Sequence, residues 1–471
     1  MKRRLLFLFA LLILLSGLLV SFNDVHAATN VTQISGKCVN PNGTTVLHGQ
    51  LQGAYYTISV PSNWNGTLAL YSHGYVFAGQ PLPNPAPDAG DPLTEAALLQ
   101  DGYALAGSSY SQNGWALQQA FHDQITLLDY FNATCGHPTR TIAWGHSLGG
   151  IITAGLVQLY PDRFVAALPM CGVVAGGIGT WNQALDSAFA FDDLLAGNAL
   201  PIVHITDPTG TYNQAESILA TAQNTAQGQA RIALAAALAD IPGWFDPSLP
   251  EPGSKDYIAQ EQNQYLWESQ VDFAFAFIAR AELEGRAGGN PSWNTGVDYR
   301  TQLANSSDSR EVKALYKKAG LNLKQDLNTL NATQRIQADP GAVDYLNKYI
   351  TFNGDLNMPV LTMHTTGDGL VVNQDEQAYK SVVAWRGDSN LLRQVFVHRA
   401  GHCAFTPAET VTAFQTLIQR VDTGTWGDST DPGLMNKEAL ALGPGLNTAP
   451  PAFINFKPTV FLRPFDVRNR R

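Results

Sequence analysis

Three short glycine-flanked segments hold residues that could do chemistry together. They are Gly145-His146-Ser147-Leu148-Gly149, Gly367-Asp368-Gly369 and Gly401-His402. A serine hydroxyl is a weak nucleophile at neutral pH. It becomes effective when an imidazole takes its proton and a carboxylate orients that imidazole. Ser147, His402 and Asp368 are therefore candidates for nucleophile, base and acid in acyl transfer. A bare G-x-S-x-G pattern is weak in a chain with 42 glycines. Its weight comes from context, because 139–144 reads as a strand and 148–160 as a helix. Ser147 then falls on the tight strand-to-helix turn that this motif requires, at a helix N-terminus that favours a developing anion.

The acid and base candidates have the same context. Asp368 follows a predicted strand at 359–364, and His402 follows one at 394–398. Parallel sheets place their sites beyond such carboxyl ends. Taken singly, Asp368 suits a turn and His402 an ordinary surface loop. In the order Ser, Asp, His, each on a loop after a strand, they point to one site. His398 is a rival base but lies inside a strand pattern. Asp339, Asp355 and Asp375 are rival acids with the same positional weakness. An oxyanion hole needs two N–H donors. Leu148, just after the nucleophile, is one candidate, and Tyr75, after the strand 67–72, is the other, with Gly74 as its alternative. No H-E-x-x-H pattern and no Cys/His cluster occurs, so neither a catalytic metal nor a cofactor is expected.

The elements that must hold these residues show a strand–helix rhythm. Residues 45–60 alternate as a hairpin around Gly53, followed by strands at 67–72, 103–107, 139–144 and 164–170. Helical patterns occupy 93–100, 115–131 and 148–160, and five prolines mark 76–92 as a loop. From 178 to 350 the pattern is almost wholly helical, with an aromatic run Val271-Asp272-Phe273-Ala274-Phe275-Ala276-Phe277-Ile278. That run reads foremost as a buried helix, and second as a wall for an acyl or aromatic group. Strands at 359–364 and 394–398 and helices at 374–386 and 406–422 then resume the rhythm. The expected fold is α/β, a mostly parallel sheet of about eight strands with a helical cap inserted after the sixth. The organisation reads as a signal peptide at 1–27, core at 28–177, cap at 178–350, core at 351–427 and an irregular tail at 428–471.

Composition narrows the setting. The chain of 471 residues is 45% hydrophobic, enough for a large core, and its net charge of −10 disfavours a nucleic-acid partner. Lys2, Arg3 and Arg4, an apolar run from Leu5 to Val20 and Val25-His26-Ala27 read as a cleaved secretory signal, which makes the expected location extracellular with no lasting membrane span. Cys38, Cys135, Cys171 and Cys403 suggest two disulfides in one of three pairings. Asn30, Asn42, Asn65, Asn132, Asn305 and Asn331 begin Asn-x-Ser/Thr sites.

His73-Gly74, Gly145-His146-Ser147-Leu148-Gly149-Gly150, Gly367-Asp368 and Gly401-His402 together resemble the α/β-hydrolase superfamily, over roughly 45–177 and 351–425. The helical insertion falls where that superfamily carries its cap. Ser108-Ser109-Tyr110-Ser111, Gly114-Trp115 and Gly401-His402-Cys403-Ala404-Phe405-Thr406 look like secreted bacterial hydrolases, phthalyl-amidase-like and esterase-like. Tannases and feruloyl esterases also carry a Cys after the catalytic His, but pair it with one before the Ser, where this chain has His146. Within this resemblance Cys403 is expected to pair with Cys171 and Cys38 with Cys135. The implied activity is cleavage of a small-molecule or polymeric ester. Amide or peptide cleavage by the same residues is the first alternative, and a non-catalytic binding protein on the same scaffold the second.

Overall fold

Local pattern explains the first elements. Strand β1 (Thr45–Leu51) alternates half-buried and exposed residues, whereas β2 (Ala54–Val60) is buried along nearly its whole length. They pair antiparallel across a Gln52-Gly53 turn in which both residues have positive φ. That two-residue turn matches the twist of the strands it joins. The sheet continues with β3 (Thr67–Ser72), β4 (Ala104–Ser108), β5 (Arg140–His146), β6 (Ala166–Met170), β7 (Val360–Gly367), β8 (Leu392–Ala400) and β9 (Phe453–Ile454). Its order is β1-β2-β4-β3-β5-β6-β7-β8-β9, and every pairing from β4 across to β8 is parallel. The computed structural model describes residues 38–466. The signal-peptide region and Asn30 therefore lie outside the described residues.

Parallel strands are buried on both faces, and β3 shows how. Leu68 and Leu70 face one apolar layer with Phe121, Leu128, Ile151 and Val157. Ala69 and Tyr71 face the opposite layer with Trp144, Phe414, Leu417 and Met435. The helices supplying these layers are α1 (Pro92–Gln100), α2 (Leu117–Thr134) and α3 (Leu148–Leu159). The cap then contributes α4 (Gly176–Phe191), α5 (Pro208–Ala222), α6 (Ala226–Ala237), α7 (Tyr257–Trp267), α8 (Arg280–Ala287), α9 (Tyr299–Asn305), α10 (Ser309–Ala319), α11 (Leu323–Ala332) and α12 (Pro340–Lys348). After β7 come α13 (Gln374–Arg386), α14 (Pro407–Thr423) and α15 (Pro432–Ala441). Helices α2, α3 and α13 cover the first face; α1, α14 and α15 cover the second.

The inserted segment is helical, as its pattern predicts, and builds its own core from Leu185, Phe189, Leu234, Phe277, Leu303 and Tyr316 among others. Two π-helical turns, Glu268–Asp272 and Ala274–Ala279, interrupt the long stretch after α7. The tail corrects the expectation of an irregular 428–471. It forms α15, capped by Asp431, whose side chain accepts from the Leu434 N–H. It also adds β9, antiparallel to β8 through Phe396↔Ile454 and Val397↔Phe453, which makes nine strands rather than about eight. Proline is tolerated in the first helical turn, so the Pro- and Gly-rich composition did not exclude a helix. Cys38 bonds Cys135 and Cys171 bonds Cys403, as expected. Among the described residues no helix is long and apolar enough to cross a membrane.

Candidate active site

The turn between β5 and α3 is built for an exposed hydroxyl. Ser147 has φ 57 and ψ −122, a strained conformation for a residue with a side chain. Its N–H donates to the Met170 carbonyl on neighbouring β6 at 3.0 Å. A Cβ on Gly145 or on Gly149 would collide with the Ser72 carbonyl oxygen, so both flanking positions require glycine. The Ser147 side chain makes no capping bond to α3. Its Oγ instead lies 2.8 Å from His402 Nε2, and His402 Nδ1 lies 2.7 Å from Asp368 Oδ2. The three residues drawn together from the sequence thus form one continuous hydrogen-bonded line.

Asp368 is fully buried beyond β7. Its Oδ1 accepts from the Leu370 and Val371 N–H groups at 3.1 and 3.0 Å. Behind it stands a residue that the sequence reading passed over. His364 is also fully buried, with Nδ1 3.1 Å from Glu376 Oε1 and Nε2 2.7 Å from the Val371 carbonyl and 3.5 Å from Asp368 Oδ2. Both ring nitrogens face acceptors only, which favours the doubly protonated ring. Burial opposes that charge, but Asp368 and Glu376 outweigh it and push the His364 pKa up to about 10. Burial likewise acts to raise the Asp368 pKa, yet His402 and His364 together hold it below the ordinary carboxylate value. The signal in the sequence was a lone histidine in a buried strand, four residues before the acid.

The loop carrying His402 is tied down on several sides. The Cys171–Cys403 disulfide joins it to the end of β6, and Cys403 Sγ lies 3.4 Å from His402 Nε2. The Gly401 N–H donates to the Gly367 carbonyl at 3.0 Å, and Thr365 Oγ1 donates to the Gly401 carbonyl at 2.8 Å. The rival residues stand elsewhere. His398 is exposed beside Thr366 and Glu251. Asp355 pairs with Arg386, Asp339 accepts from the Asn290 N–H, and Asp375 accepts from the Ala175 N–H.

Leu148 opens α3, so its N–H has no intrahelical acceptor. The loop His73-Gly74-Tyr75 crosses beside Ser147, where a Cβ on Gly74 would sit 3.4 Å from Ser147 Cβ. His73 stacks on Tyr110, whose hydroxyl donates to the His73 carbonyl at 3.1 Å. The Ser108–Ser111 segment therefore props this loop. His146, within the G-x-S-x-G segment, lies 3.2 Å from the Tyr71 hydroxyl, and burial lowers its pKa to about 4. It is thus a neutral packing group.

Above Ser147 a cavity of about 100 Å³ runs between sheet and cap. Tyr75, Leu148, Val371, Trp115, Trp181 and Phe275 are among its walls. The aromatic run in the cap serves both readings offered for it. Phe273 and Phe277 pack inside the cap, while Phe273 and Phe275 also face the cavity. Cap and core are latched beside Trp115, whose N–H donates to Glu282 Oε2 at 2.9 Å, with Arg286 bridging Glu282 and the Asn113 carbonyl.

This sheet order, strand-to-helix turn and cap insertion define an α/β-hydrolase of the serine-hydrolase type. Residues 101–176 match the prolyl oligopeptidase family. Across 424 residues the chain is 30% identical to an o-phthalyl amidase of Xanthobacter agilis, covering 83% of this chain and 90% of that one. It belongs to the phthalyl-amidase-like family of α/β-hydrolases. Among solved structures, a rice cell wall degrading esterase of Xanthomonas oryzae aligns with 14% identity, a TM-score of 0.37 and coverage of 78% of this chain and 85% of that one. Feruloyl esterase B from Aspergillus oryzae aligns with 15% identity, a TM-score of 0.37 and coverage of 81% of each chain.

Proposed function

We propose that this hydrolase is an exported enzyme that cleaves a small carboxylic amide or ester through an acyl-enzyme on Ser147. The observation carrying this reading is the unbroken line from Ser147 Oγ to His402 to Asp368 at 2.8 and 2.7 Å, at the mouth of an apolar cavity. His402 Nε2 takes the proton as Oγ attacks the acyl carbon, and returns it to the departing amine or alcohol. Asp368 keeps the imidazole in the tautomer with a proton on Nδ1 and stabilises the imidazolium. The N–H groups of Leu148 and Tyr75 stabilise the tetrahedral oxyanion, a term typically worth about 10²–10³ in rate per donor. Water then releases the acid by the same route in reverse.

The 30%-identical relative is named for amide cleavage of a phthalyl group, which supports an aromatic acyl group and an amide bond. Ester cleavage, the expectation from the sequence, uses identical machinery and is the second reading. Two disulfides suit an oxidising, extracellular compartment. The test is fluorophosphonate labelling of the purified protein, with the adduct mapped by mass spectrometry, followed by matched aryl amides and aryl esters. An adduct on Ser147 that disappears in Ser147→Ala and drops sharply in His402→Ala is the expected result. A folded protein that takes no label would place it among non-catalytic binding proteins.

A further inference from the structure

A second cavity, of about 570 Å³, shares a partition with the one above Ser147. Ala239 and Ile241 line the first cavity, and Asp240 between them lines the second. In the same way Val371 and Val372 line the first, and Asn373 and Gln374 the second. Asp240 is only 2% exposed, yet neither of its carboxyl oxygens has a hydrogen-bond partner. Asp308 stands at the N-cap of α10, but its side chain makes no capping bond, and its Oδ2 also lacks a partner. Within the first turn of α10, Glu311 is 3% exposed. Its Oε2 accepts from Gln264 at 3.1 Å, while its Oε1 is unpartnered. Two buried amides on this wall repeat the pattern. Asn373 donates to the Thr366 carbonyl at 2.8 Å and Gln374 to Thr459 Oγ1 at 3.1 Å, which leaves both amide oxygens without a donor. Among the described residues no Lys, Arg or His pairs with any of these oxygens. Arg310 and Lys457 are exposed at the rim, where His398 faces Glu251 at 3.5 Å.

Burying a polar atom without a partner costs free energy, so such atoms are few and call for a partner from outside the chain. On this cavity every unpartnered side-chain atom is an oxygen that can only accept, or a carboxyl oxygen. Carboxyl and amide oxygens, with no free nitrogen or sulfur among them, are the ligands of a hard divalent cation. The acids do not make a closed cage. Among the described residues, the one trio of His, Cys, Asp and Glu ligand atoms within 4.8 Å of one another is Cys171-His402-Cys403, whose sulfurs are joined to each other. An open, all-oxygen site with room for several waters suits calcium, whose shell is flexible, better than magnesium, which demands a near-ideal octahedron. We propose that Asp240 and Asp308 hold a calcium ion in this second cavity, with Glu311, Asn373 and Gln374 reaching it through water. The ion stiffens the partition, because the strip Ala239-Asp240-Ile241 also walls the cavity above Ser147. Without the ion, burial and then Asp308 push the Asp240 pKa well above the usual carboxylate value. Binding therefore displaces a proton to solvent, which moderates the affinity. Arg310 and Lys457 oppose the ion little, since water and salt screen exposed charges.

Isothermal titration calorimetry of the intact protein, freed of metal with EDTA and dialysed, tests this with calcium chloride and magnesium chloride. One calcium ion per chain is expected to bind with a Kd of about 10⁻⁴–10⁻³ M, the range of extracellular calcium modules, and magnesium at least about tenfold more weakly. The melting temperature is expected to rise by about 2 °C or more in about 10 mM calcium. Asp240→Asn and Asp308→Asn are each expected to weaken calcium binding at least about tenfold, because each removes a ligand charge. Glu251→Gln, at the exposed rim, is expected to leave it unchanged. Absence of saturable calcium binding, equal binding of magnesium, or wild-type affinity in a folded Asp240→Asn protein overturns the proposal. Asp240 and Asp308 lie on different segments, so either folded variant carries the comparison, and the wild-type choice of calcium over magnesium decides where neither folds. Ser147→Ala is expected to bind calcium as the wild type does, so a failure here and a failure of the hydrolase reading are separate results.

Discussion

Asp368 holds its charge between two imidazoles, and only one of them can meet substrate. His402 faces Ser147, whereas His364 is sealed between Asp368 and Glu376 with no exposed surface. His364 is thus a positioning residue, a buried cation that keeps the acid ionised and aimed. His364→Gln removes that cation while keeping a similar polar volume. The expected outcome is a lower kcat and an acid limb of the kcat/KM profile moved to higher pH, because the imidazolium formed at His402 no longer faces a second cation across Asp368. A purely structural role would lower activity without moving that limb. Stability carries a second signature. A folded pKa of about 10 against an unfolded value near 6.5 gives a contribution that is complete below pH 6.5 and fades as pH rises to 10. Thermal melts should therefore fall more steeply between pH 7 and 10 in the wild type than in His364→Gln. At this scale Ser147, Asp368 and His402 were legible because each sits on a loop after a recognisable strand. His364 and Glu376 were not. His364 stood out only as a histidine within a strand, and the burial that gives these side chains their character comes from how the elements pack around them.

The His402 loop leaves β8 and enters α14 through a series of cross-ties. Arg399 on β8 makes a forked pair with Glu409 on α14 at 2.6 and 3.1 Å. Glu409 also completes the capping box with Thr406 and accepts from the Ala452 N–H just before β9. The Cys171–Cys403 bond adds a covalent tie across a sequence separation of 232 residues. Cys171→Ala with Cys403→Ala is expected to cost about 2–4 kcal/mol of stability. It should also lower kcat more than it raises KM, since the loop it frees holds the base and not the cavity wall. Chemical unfolding and steady-state kinetics read the two effects separately, and an unchanged kcat would remove the positioning role of the bond. The strand–helix rhythm and the hairpin turn were readable because each element has its own period. The element α15 and the two-residue β9 were not. A strand that short has no periodicity, and its pairing depends on the free edge of β8.

The molecule closes around the cavity with help from its far end. Arg463, in the tail, pairs with Asp186 on α4 of the cap at 2.9 and 2.8 Å and donates to the Trp293 carbonyl at 2.6 Å. Asp186 is fully buried and also accepts from Tyr299 and Gln302. Arg463→Ala leaves that carboxylate uncompensated, so a loss of about 3–5 kcal/mol is expected, with partial recovery in Arg463→Ala/Asp186→Asn. Calorimetric melts of the single and double variants check it, and additive losses would show that the two residues act apart. Sequence alone supplied the candidate reacting groups, the strand–helix rhythm and a helical insertion within it. Each of those follows from short-range chemistry, namely turn glycines, strand alternation and helical spacing. Only the tertiary structure decided which charges surround Asp368 and that the tail clasps the cap. Apart from His364, four residues before Asp368, those are contacts between residues tens to hundreds of positions apart, and they exist only once the sheet, cap and tail have packed together.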